Sequence, residues 1–242
     1  MPDREFVPGG AIDPVVTPVR LAEGAGRVAA LTFDDGPNPG TTPALLDFLA
    51  EHELSAVFCV IGQNIRAPGG ADLLQRIVAD GHVLGNHSTS YADLGSCSAE
   101  QVEVDLTANL EIIRAALGDP NHPVPFWRAP NGNWGITPSV AVSLGMQPLA
   151  VVNTIDDWAT QEVATLTENL RAAMRPGEIV LAHDGGGDRS GTLAAVQAVV
   201  TERLADGWTF AFPMGTPPAA GAVDRGMSDV SGRLAINRRE HP

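Results

Sequence analysis

The sequence contains no lysine and few aromatic residues, and these absences narrow the possible partners. Its 15 basic residues are all arginines and stand against 29 acidic residues, so the formal net charge is −14. Nucleic-acid grooves and anionic membrane surfaces are bound mainly through clustered cations, which this chain does not offer. We therefore expect a neutral or cationic small molecule or a glycan as the partner.

Cysteine is also scarce, and the sequence lacks a leader-like or membrane-spanning stretch. Cys59 lies in an apolar run and Cys97 in a turn, so two unpaired thiols fit better than one disulfide. The first thirty residues have no cationic start followed by an apolar segment, and no window reaches the ~18 apolar residues of a membrane span. As written, the sequence predicts a cytoplasmic protein, or a secreted one whose leader has been removed.

Short apolar runs alternate with amphipathic segments along most of the chain. Residues 1–26 are rich in Pro and Gly and predict an extended lead-in, residues 27–212 predict the main folded domain, and residues 213–242 predict a loosely held tail or a short final helix. The predicted strands are 27–33, 55–62, 82–87, 123–130, 147–154, 178–183 and 208–212. The predicted helices are 42–54, 71–81, 98–118, 137–145, 162–174 and 190–207.

This alternation predicts an α/β fold. Each predicted strand is too apolar to have a wet face, which indicates a parallel sheet covered by helices on both sides. No Gly-x-Gly-x-x-Gly turn follows the first strand. A (β/α) barrel of about seven units is therefore favoured over an open dinucleotide-binding sheet.

Ionisable and aromatic residues cluster where the predicted strands end. In a barrel these positions form one rim, the rim at which active sites are assembled. The residues concerned are Asp34, Asp35, His87, Arg128, Asp156, Asp157, Trp158, His183 and Asp184.

Each of these residues also has an ordinary structural explanation. Asp34 and Asp35 fit a solvated turn, His87 a hydrogen-bonded strand end, and Arg128 a structural clamp for a carboxylate. Adjacent carboxylates at a strand end point in different directions, so one can bind a cation while the other handles a proton. Their combination at one rim is what favours a catalytic site.

Five ordered segments carry a resemblance to a known family. The chain resembles the polysaccharide deacetylases, the NodB-homology domains of carbohydrate esterase family four, over roughly residues 27–212. The resemblance implies a distorted (β/α) barrel that uses a divalent metal, often zinc, to remove acetyl groups from chitin-type, peptidoglycan or xylan sugars. The matching segments are Thr-Phe-Asp-Asp-Gly-Pro at 32–37, His-Ser at 87–88, Arg-Ala-Pro at 128–130, Asp-Trp at 157–158 and Leu-Ala-His-Asp at 181–184.

The resemblance implies a role for four of the residues at the first half of the rim. Asp35 would be the metal-binding carboxylate and His87 the imidazole ligand. Asp34 would be the general base, held in place by Arg128. A bound cation makes this chemistry reasonable, because it lowers the pKa of a water molecule toward ~7, within reach of a carboxylate base.

The second half of the rim would stabilise charge and hold the acyl group. By resemblance, the backbone N–H of Asn131, where the family more often has Tyr, would stabilise the oxyanion. His183 would protonate the leaving amine or alcohol, and the charge of Asp157 would favour its imidazolium form. Trp158 and Leu181 would line the pocket for the acyl methyl group.

Two further features are open to more than one interpretation. Trp134 is a candidate stacking face for a sugar ring, although core or rim packing also explains it. The Gly185-Gly186-Gly187 run either lets substrate approach His183 closely or only forms a turn.

Position 91 departs from the family pattern. The second motif of the family has a further metal-binding His there, whereas this chain has Tyr91, its only tyrosine. A neutral phenol is a poor zinc ligand, so metal affinity should fall. Four outcomes are open: Tyr91 ligates as phenolate, Asp35 and His87 hold the metal alone with water or substrate, another side chain fills in, or catalysis has been lost.

The sequence leaves three functional hypotheses. The first is a metal-dependent hydrolase, with zinc or cobalt, that removes acetyl or another small acyl group from N- or O-acylated carbohydrate. The second is a carbohydrate-binding pseudoenzyme with an impaired metal site. The third is a cytoplasmic amidase or esterase for a small acylated metabolite.

Overall fold

The computed structural model describes residues 9–11 and 13–217, and these contain seven strands and seven helices. The strands are β1 (Val28–Gly36), β2 (Val57–Val60), β3 (Val83–Asn86), β4 (Phe126–Trp127), β5 (Gln147–Pro148), β6 (Ile179–His183) and β7 (Thr209–Phe210). The helices are α1 (Thr42–Glu51), α2 (Gly62–Arg66), α3 (Gly70–Ala79), α4 (Ala99–Leu117), α5 (Thr137–Ser143), α6 (Val163–Ala173) and α7 (Ser190–Ala205). Every predicted strand and helix has a counterpart among these elements. Most of the predicted tail, residues 218–242, lies outside the described residues.

All strand pairings in the sheet are parallel, as predicted. The strand order is β5-β4-β3-β2-β1-β6, and β7 pairs with β1. Parallel strands connected by helices place all their carboxyl ends at one edge of the sheet. The side chains that follow β1, β3, β4 and β6 therefore meet at the same rim.

The barrel is completed by irregular segments instead of a full strand ladder. Val19, in the N-terminal lead-in, forms a parallel bridge with Leu149, and Leu21 forms an antiparallel bridge with Glu178. A third bridge joins Thr154 to Leu181 in β6. Part of the lead-in thus lies between the two edges of the sheet, which makes the structure a distorted barrel.

Strand β1 shows why the sequence pattern looks continuously apolar. Ala29, Leu31 and Phe33 pack in the large core between the sheet and the helices, whereas Val28 and Ala30 pack in a smaller core inside the barrel. Both faces of the strand are buried, so no polar alternation appears until the strand ends.

Two short helical segments were not predicted. Helix α2 has five residues and follows β2 directly, and a 3₁₀ turn covers Pro130–Gly132. Neither is long enough to show a 3.6-residue period, so the hydrophobic pattern carries no signal for them. Both lie at the rim that bears the candidate site.

A buried amide network fixes the end of β3 against helix α4. The Asn109 side chain donates to the backbone oxygen of Val60 at 3.1 Å and to Oδ1 of Asn86 at 2.8 Å. Asn86 Nδ2 donates to the backbone oxygen of Leu106 at 2.9 Å, and its Oδ1 accepts from the Ser88 amide. The network therefore positions the loop that begins at residue 87.

We expect Asn109→Ala to lower the free energy of unfolding by about 1–3 kcal/mol, because it leaves buried polar groups without partners. Urea unfolding followed by circular dichroism measures this change. Glu103→Ala, on the exposed face of the same helix, is the matched control. Equal stability of the two variants would contradict the prediction.

Candidate active site

The two adjacent aspartates at the end of β1 face the same imidazole. His87 Nε2 lies 3.4 Å from Asp35 Oδ1 and 3.8 Å from Asp34 Oδ2. The other oxygens of the two carboxylates have different neighbours, Arg128 for Asp34 and Gly186 for Asp35, but both residues share His87. The reason is local: β1 has an irregular register between Asp34 and Gly36, and Asp35 has a left-handed φ of 72°, so both side chains turn toward the barrel mouth.

His87 is held in one orientation by a backbone contact. Its Nδ1–H donates to the carbonyl oxygen of Arg128 at 2.7 Å. The lone pair of Nε2 in the neutral ring then faces Asp34 and Asp35, an arrangement that calls for a proton or a cation between them. Burial alone lowers the pKa of His87, but the two carboxylates outweigh burial and raise it.

Asp35 and His87 have the right chemistry to bind a divalent cation, but they supply only two side-chain ligands. An imidazole nitrogen and a carboxylate oxygen are common zinc ligands. Within the part of the chain that the structure describes, no group of three or more His, Cys, Asp or Glu side chains is arranged to hold a metal ion. Asp35 and His87 therefore fit a cation whose remaining ligands come from water, substrate or another residue type.

Asp34 is part of a buried ion pair. Arg128, which is fully buried, donates from Nη1 to Asp34 Oδ1 at 2.7 Å. The remaining nitrogens of Arg128, Nε and Nη2, have no hydrogen-bond partner. Cys59 lies opposite Asp34 in the β1–β2 register, and burial, with the charge of Asp34, raises the pKa of its thiol. Sequence reasoning treated Cys59 as idle and so missed this neighbour of Asp34.

His183 and Asp157 form a second pair, beside Asp34 on the adjacent strand β6. His183 Nδ1–H donates to Asp157 Oδ1 at 2.7 Å, and the His183 backbone amide donates to Oδ2 at 2.8 Å. Thr192 also donates its hydroxyl to Oδ2, at 2.9 Å. Burial lowers the pKa of His183, but the hydrogen bond and charge of Asp157 outweigh burial and raise it.

One residue of each pair, Asp34 and His183, lines a cavity of about 540 Å³. Trp158 stands at its edge, 56% exposed, with its ring nearly perpendicular to that of His183 at a centroid distance of 5.8 Å. The predicted residues that line the cavity are Asp34, Asp35, His87, Tyr91, Asn131, Trp158, Leu181 and His183. Arg128 and Asp157 lie behind Asp34 and His183.

Trp134 does not line this cavity. Its side chain is half-buried and packs against the large hydrophobic core. This packing favours the structural explanation for Trp134, and its role as a sugar-stacking face stays a prediction.

The glycine run after β6 packs against Asp35. A Cβ atom at Gly186 would lie 2.5 Å from Asp35 Oδ2, and one at Gly185 would clash with the Asp35 backbone oxygen. These glycines therefore permit contact between two loops, an explanation that differs from both sequence interpretations. The run of three glycines indicated a close approach of some group to this loop. The sequence did not show that the approaching group is Asp35.

Asp184 is a fully buried carboxyl beneath the site. The Thr42 hydroxyl donates a hydrogen bond to Asp184 Oδ2 at 2.5 Å. The Asp184 backbone amide donates to the backbone carbonyl oxygen of Asp34 at 3.1 Å. Burial, together with the charges of Asp35 and Asp34, raises the pKa of Asp184 to about 7. The site thus concentrates negative charge, which a cation would relieve.

Tyr91 reaches the cavity from the loop after β3. Its side chain is 42% exposed, and its hydroxyl accepts a hydrogen bond from Asn64 Nδ2 at 2.9 Å. Burial raises the pKa of the phenol, with a smaller opposing effect from Asn64. The neutral phenol is thus the resting form of this side chain.

A parallel barrel with a carboxylate–arginine pair, an imidazole–carboxylate pair and a cation-compatible donor set at one rim is an arrangement typical of barrel hydrolases. The comparison with known families gives a more specific result. A family model described as polysaccharide deacetylase matches residues 22–149. This chain belongs to the polysaccharide deacetylase family, which confirms the family, fold class and carbohydrate deacetylase activity predicted from the sequence.

Curated relatives agree with this assignment. A chitooligosaccharide deacetylase of Bradyrhizobium sp. (strain ANU 289) is 39% identical over 174 residues, which cover 69% of this chain and 76% of the relative. A peptidoglycan-N-acetylglucosamine deacetylase of Bacillus cereus is 31% identical over 189 residues, or 76% of this chain and 85% of the relative.

Solved structures extend the likeness to the fold. A family 4 acetyl xylan esterase from Clostridium thermocellum, solved in complex with a cobalt ion, has a TM-score of 0.68 and 27% identity, and the match covers 76% of this chain and 87% of that one.

Among the residues described in this chain, no helix is both long enough and apolar enough to cross a membrane.

Proposed function

We propose that this protein removes the acetyl group from N-acetylglucosamine units of chitooligosaccharide-type or peptidoglycan-type glycans. The observation that carries the proposal is that Asp34, paired with Arg128, and His183, paired with Asp157, line one cavity from adjacent strands. A carboxylate base and a histidine acid are the two groups that hydrolysis of an amide requires. The names of the curated relatives support an amide substrate on an amino sugar.

Asp34 acts as the general base in this proposal. Arg128 donates to the carboxylate and holds it in place through the 2.7 Å contact. The attacking water lies between Asp34 and the acetyl carbonyl, and Asp34 accepts its proton. The Asn131 backbone N–H at the cavity wall donates to the carbonyl oxygen as negative charge develops there.

Asp35 and His87 hold the divalent cation, of the zinc or cobalt type. When bound, this ion supplies Lewis acidity, which lowers the pKa of water toward ~7 and polarises the carbonyl. The hydrogen bond that His87 Nδ1–H donates to the backbone carbonyl of Arg128 fixes the tautomer in which Nε2 is free to bind the cation.

His183 protonates the leaving amine. Asp157 favours its imidazolium form through a 2.7 Å hydrogen bond, so a proton is present when the C–N bond breaks. Trp158 and Leu181 provide the apolar wall against the acetyl methyl group. Trp158 is exposed enough to contact the sugar as well.

We expect purified protein to release acetate from N-acetylglucosamine oligomers only with a bound divalent cation. Acetate release is measured after chelation and after stepwise addition of Zn²⁺ or Co²⁺, with acetylated xylan and small acetylated metabolites as competing substrates. Activity that is lost with chelator and restored by cation supports the proposal. Activity that chelator leaves unchanged would contradict the cation requirement.

The same assay separates the alternatives. Glycan binding by calorimetry, with no acetate release at saturating cation, would indicate a pseudoenzyme and overturn the proposal. A preference for acetylated xylan would indicate ester hydrolysis, and a preference for small metabolites would indicate an amidase or esterase of that class.

A further inference from the structure

Asn64, in helix α2, is a polar residue at the rim that the mechanism above does not use. One side-chain nitrogen, Nδ2, donates to the backbone oxygen of Asp35 at 2.7 Å and to the hydroxyl of Tyr91 at 2.9 Å. Both of its hydrogens are therefore engaged, one on the β1 loop and one on the β3 loop.

The Tyr91 hydroxyl lies near the loop after β6, where the Gly186 backbone acts to lower the pKa of the phenol. Its hydroxyl oxygen accepts a hydrogen bond from Asn64. A phenol oxygen has few acceptor positions, so this bond occupies one that a cation would need.

Neighbouring loops hold Asp35 at two points. Asn64 Nδ2 links its backbone oxygen to the Tyr91 hydroxyl, and Gly186 packs on its Oδ2. The remaining oxygen, Oδ1, faces His87 Nε2 at 3.4 Å. Asp35 also has a left-handed φ of 72°, which a non-glycine residue keeps only when its surroundings hold it.

We propose that Asn64 and Tyr91 form a hydrogen-bonded tie that orients Asp35 toward the cation, and that Tyr91 acts as a positioning residue instead of a metal ligand. The inference rests on the proposed function, because it assumes that Asp35 and His87 hold the cation. It explains how a chain with Tyr at position 91 retains an ordered site. In this proposal, the loop that carries Tyr91 is joined to Asp35 by hydrogen bonds through Asn64, and not by coordination of Tyr91 to the metal.

The test measures cation binding directly, apart from activity. Co²⁺ affinity by calorimetry and the visible spectrum of the Co²⁺-loaded protein are compared for the wild type, Asn64→Ala, Tyr91→Phe and the double variant. Gln63→Ala, an exposed neighbour in the same helix, is the control. Thermal unfolding of each variant reports whether it is folded, and Tyr91→Phe removes a single oxygen atom.

We expect each single variant to weaken the Kd for Co²⁺ by about 10- to 100-fold, as loss of groups that orient metal ligands does. The double variant should be no weaker than the singles, because either substitution breaks the same tie. The position of the visible bands should not change, because the ligands are the same.

Two results would overturn the inference alone. One is a Kd within about twofold of wild type in both single variants, on the order of experimental scatter. The other is a changed spectrum in Tyr91→Phe but not in Asn64→Ala, which would make the phenol a ligand. Absence of Co²⁺ binding by the wild type is a different result, which would overturn the cation site of the proposed function and this inference with it.

Discussion

Replacement of Asp34 by Asn is expected to lower kcat/KM for deacetylation by a factor on the order of 10²–10⁴, the range for loss of a general base. The Asn side chain keeps an oxygen that can accept a hydrogen bond from Arg128 Nη1. In the wild type, this nitrogen lies 2.7 Å from Asp34 Oδ1. It cannot take a proton from water. The geometry is therefore preserved while the chemical function is lost.

Asp34→Asn also changes stability, so the protein must be checked for folding. The buried Arg128 loses its counter-charge, and loss of one partner in a buried pair costs up to about 3–5 kcal/mol. Relief of repulsion with Asp35 and Asp184 offsets part of this cost. Because domains of this type have total stabilities of about 5–15 kcal/mol, we expect a folded but less stable variant.

The control for Asp34→Asn is the same substitution at an exposed position beside the site. Asp156 is exposed and has a left-handed φ of 59°, a conformation that Asn tolerates. Asp156→Asn should retain wild-type kcat/KM. If folded Asp34→Asn retains activity within tenfold of the wild type, roughly 1.4 kcal/mol, Asp34 is not the base.

Asp157→Asn is expected to have the second large effect, again on the order of 10²–10⁴ in kcat/KM. Asp157 accepts three hydrogen bonds, two of them from His183 and one from Thr192. An Asn side chain must present its NH₂ group to one of these donors. Either the ring of His183 turns or its Nδ1 loses its proton, and both results remove the acid from its position.

The pH profile distinguishes this role from a structural one. Asp157 raises the pKa of His183 against the opposing effect of burial. An acid is active only while protonated, so the rate falls as pH rises through the pKa of His183. Removal of the Asp157 charge lowers that pKa, and the alkaline limb of kcat/KM should move to lower pH.

Asp156→Asn serves as the control here as well, and its alkaline limb should match that of the wild type. An Asp157→Asn profile with its alkaline limb unmoved would show that Asp157 does not set the protonation of His183. Near-ultraviolet circular dichroism confirms that each variant is folded at every pH used.

Several features of the fold were predictable because they depend on local pattern. The apolar run at 27–33 predicted β1, and the helical period at 98–118 predicted α4, which begins with a capping box formed by Ser98 and Gln101. The strand-end positions of Asp34, His87 and His183 predicted one common rim, because parallel strands end at the same edge. None of these inferences required knowledge of a distant contact.

Other features depended on contacts between residues far apart in the chain. The closure of the barrel by Val19 and Leu21 could not be read from a Pro-rich lead-in without periodicity. The packing of Trp134 against the core and the approach of Gly186 to Asp35 are likewise set by neighbouring loops. Hydrophobic periodicity in a sequence indicates whether a segment is a helix or a strand. It does not indicate which distant residues a loop contacts.

The sequence by itself determined the order of the strands and helices, the family and the residues at the rim, because hydrophobic period and short motifs are local properties. Only the tertiary structure decided that Asp34 and Asp35 face one imidazole and that Asn64 and Tyr91 lie against Asp35. The physical reason is that a strand irregularity and a left-handed residue redirect side chains, and packing across 94 sequence positions pairs Asp34 with Arg128.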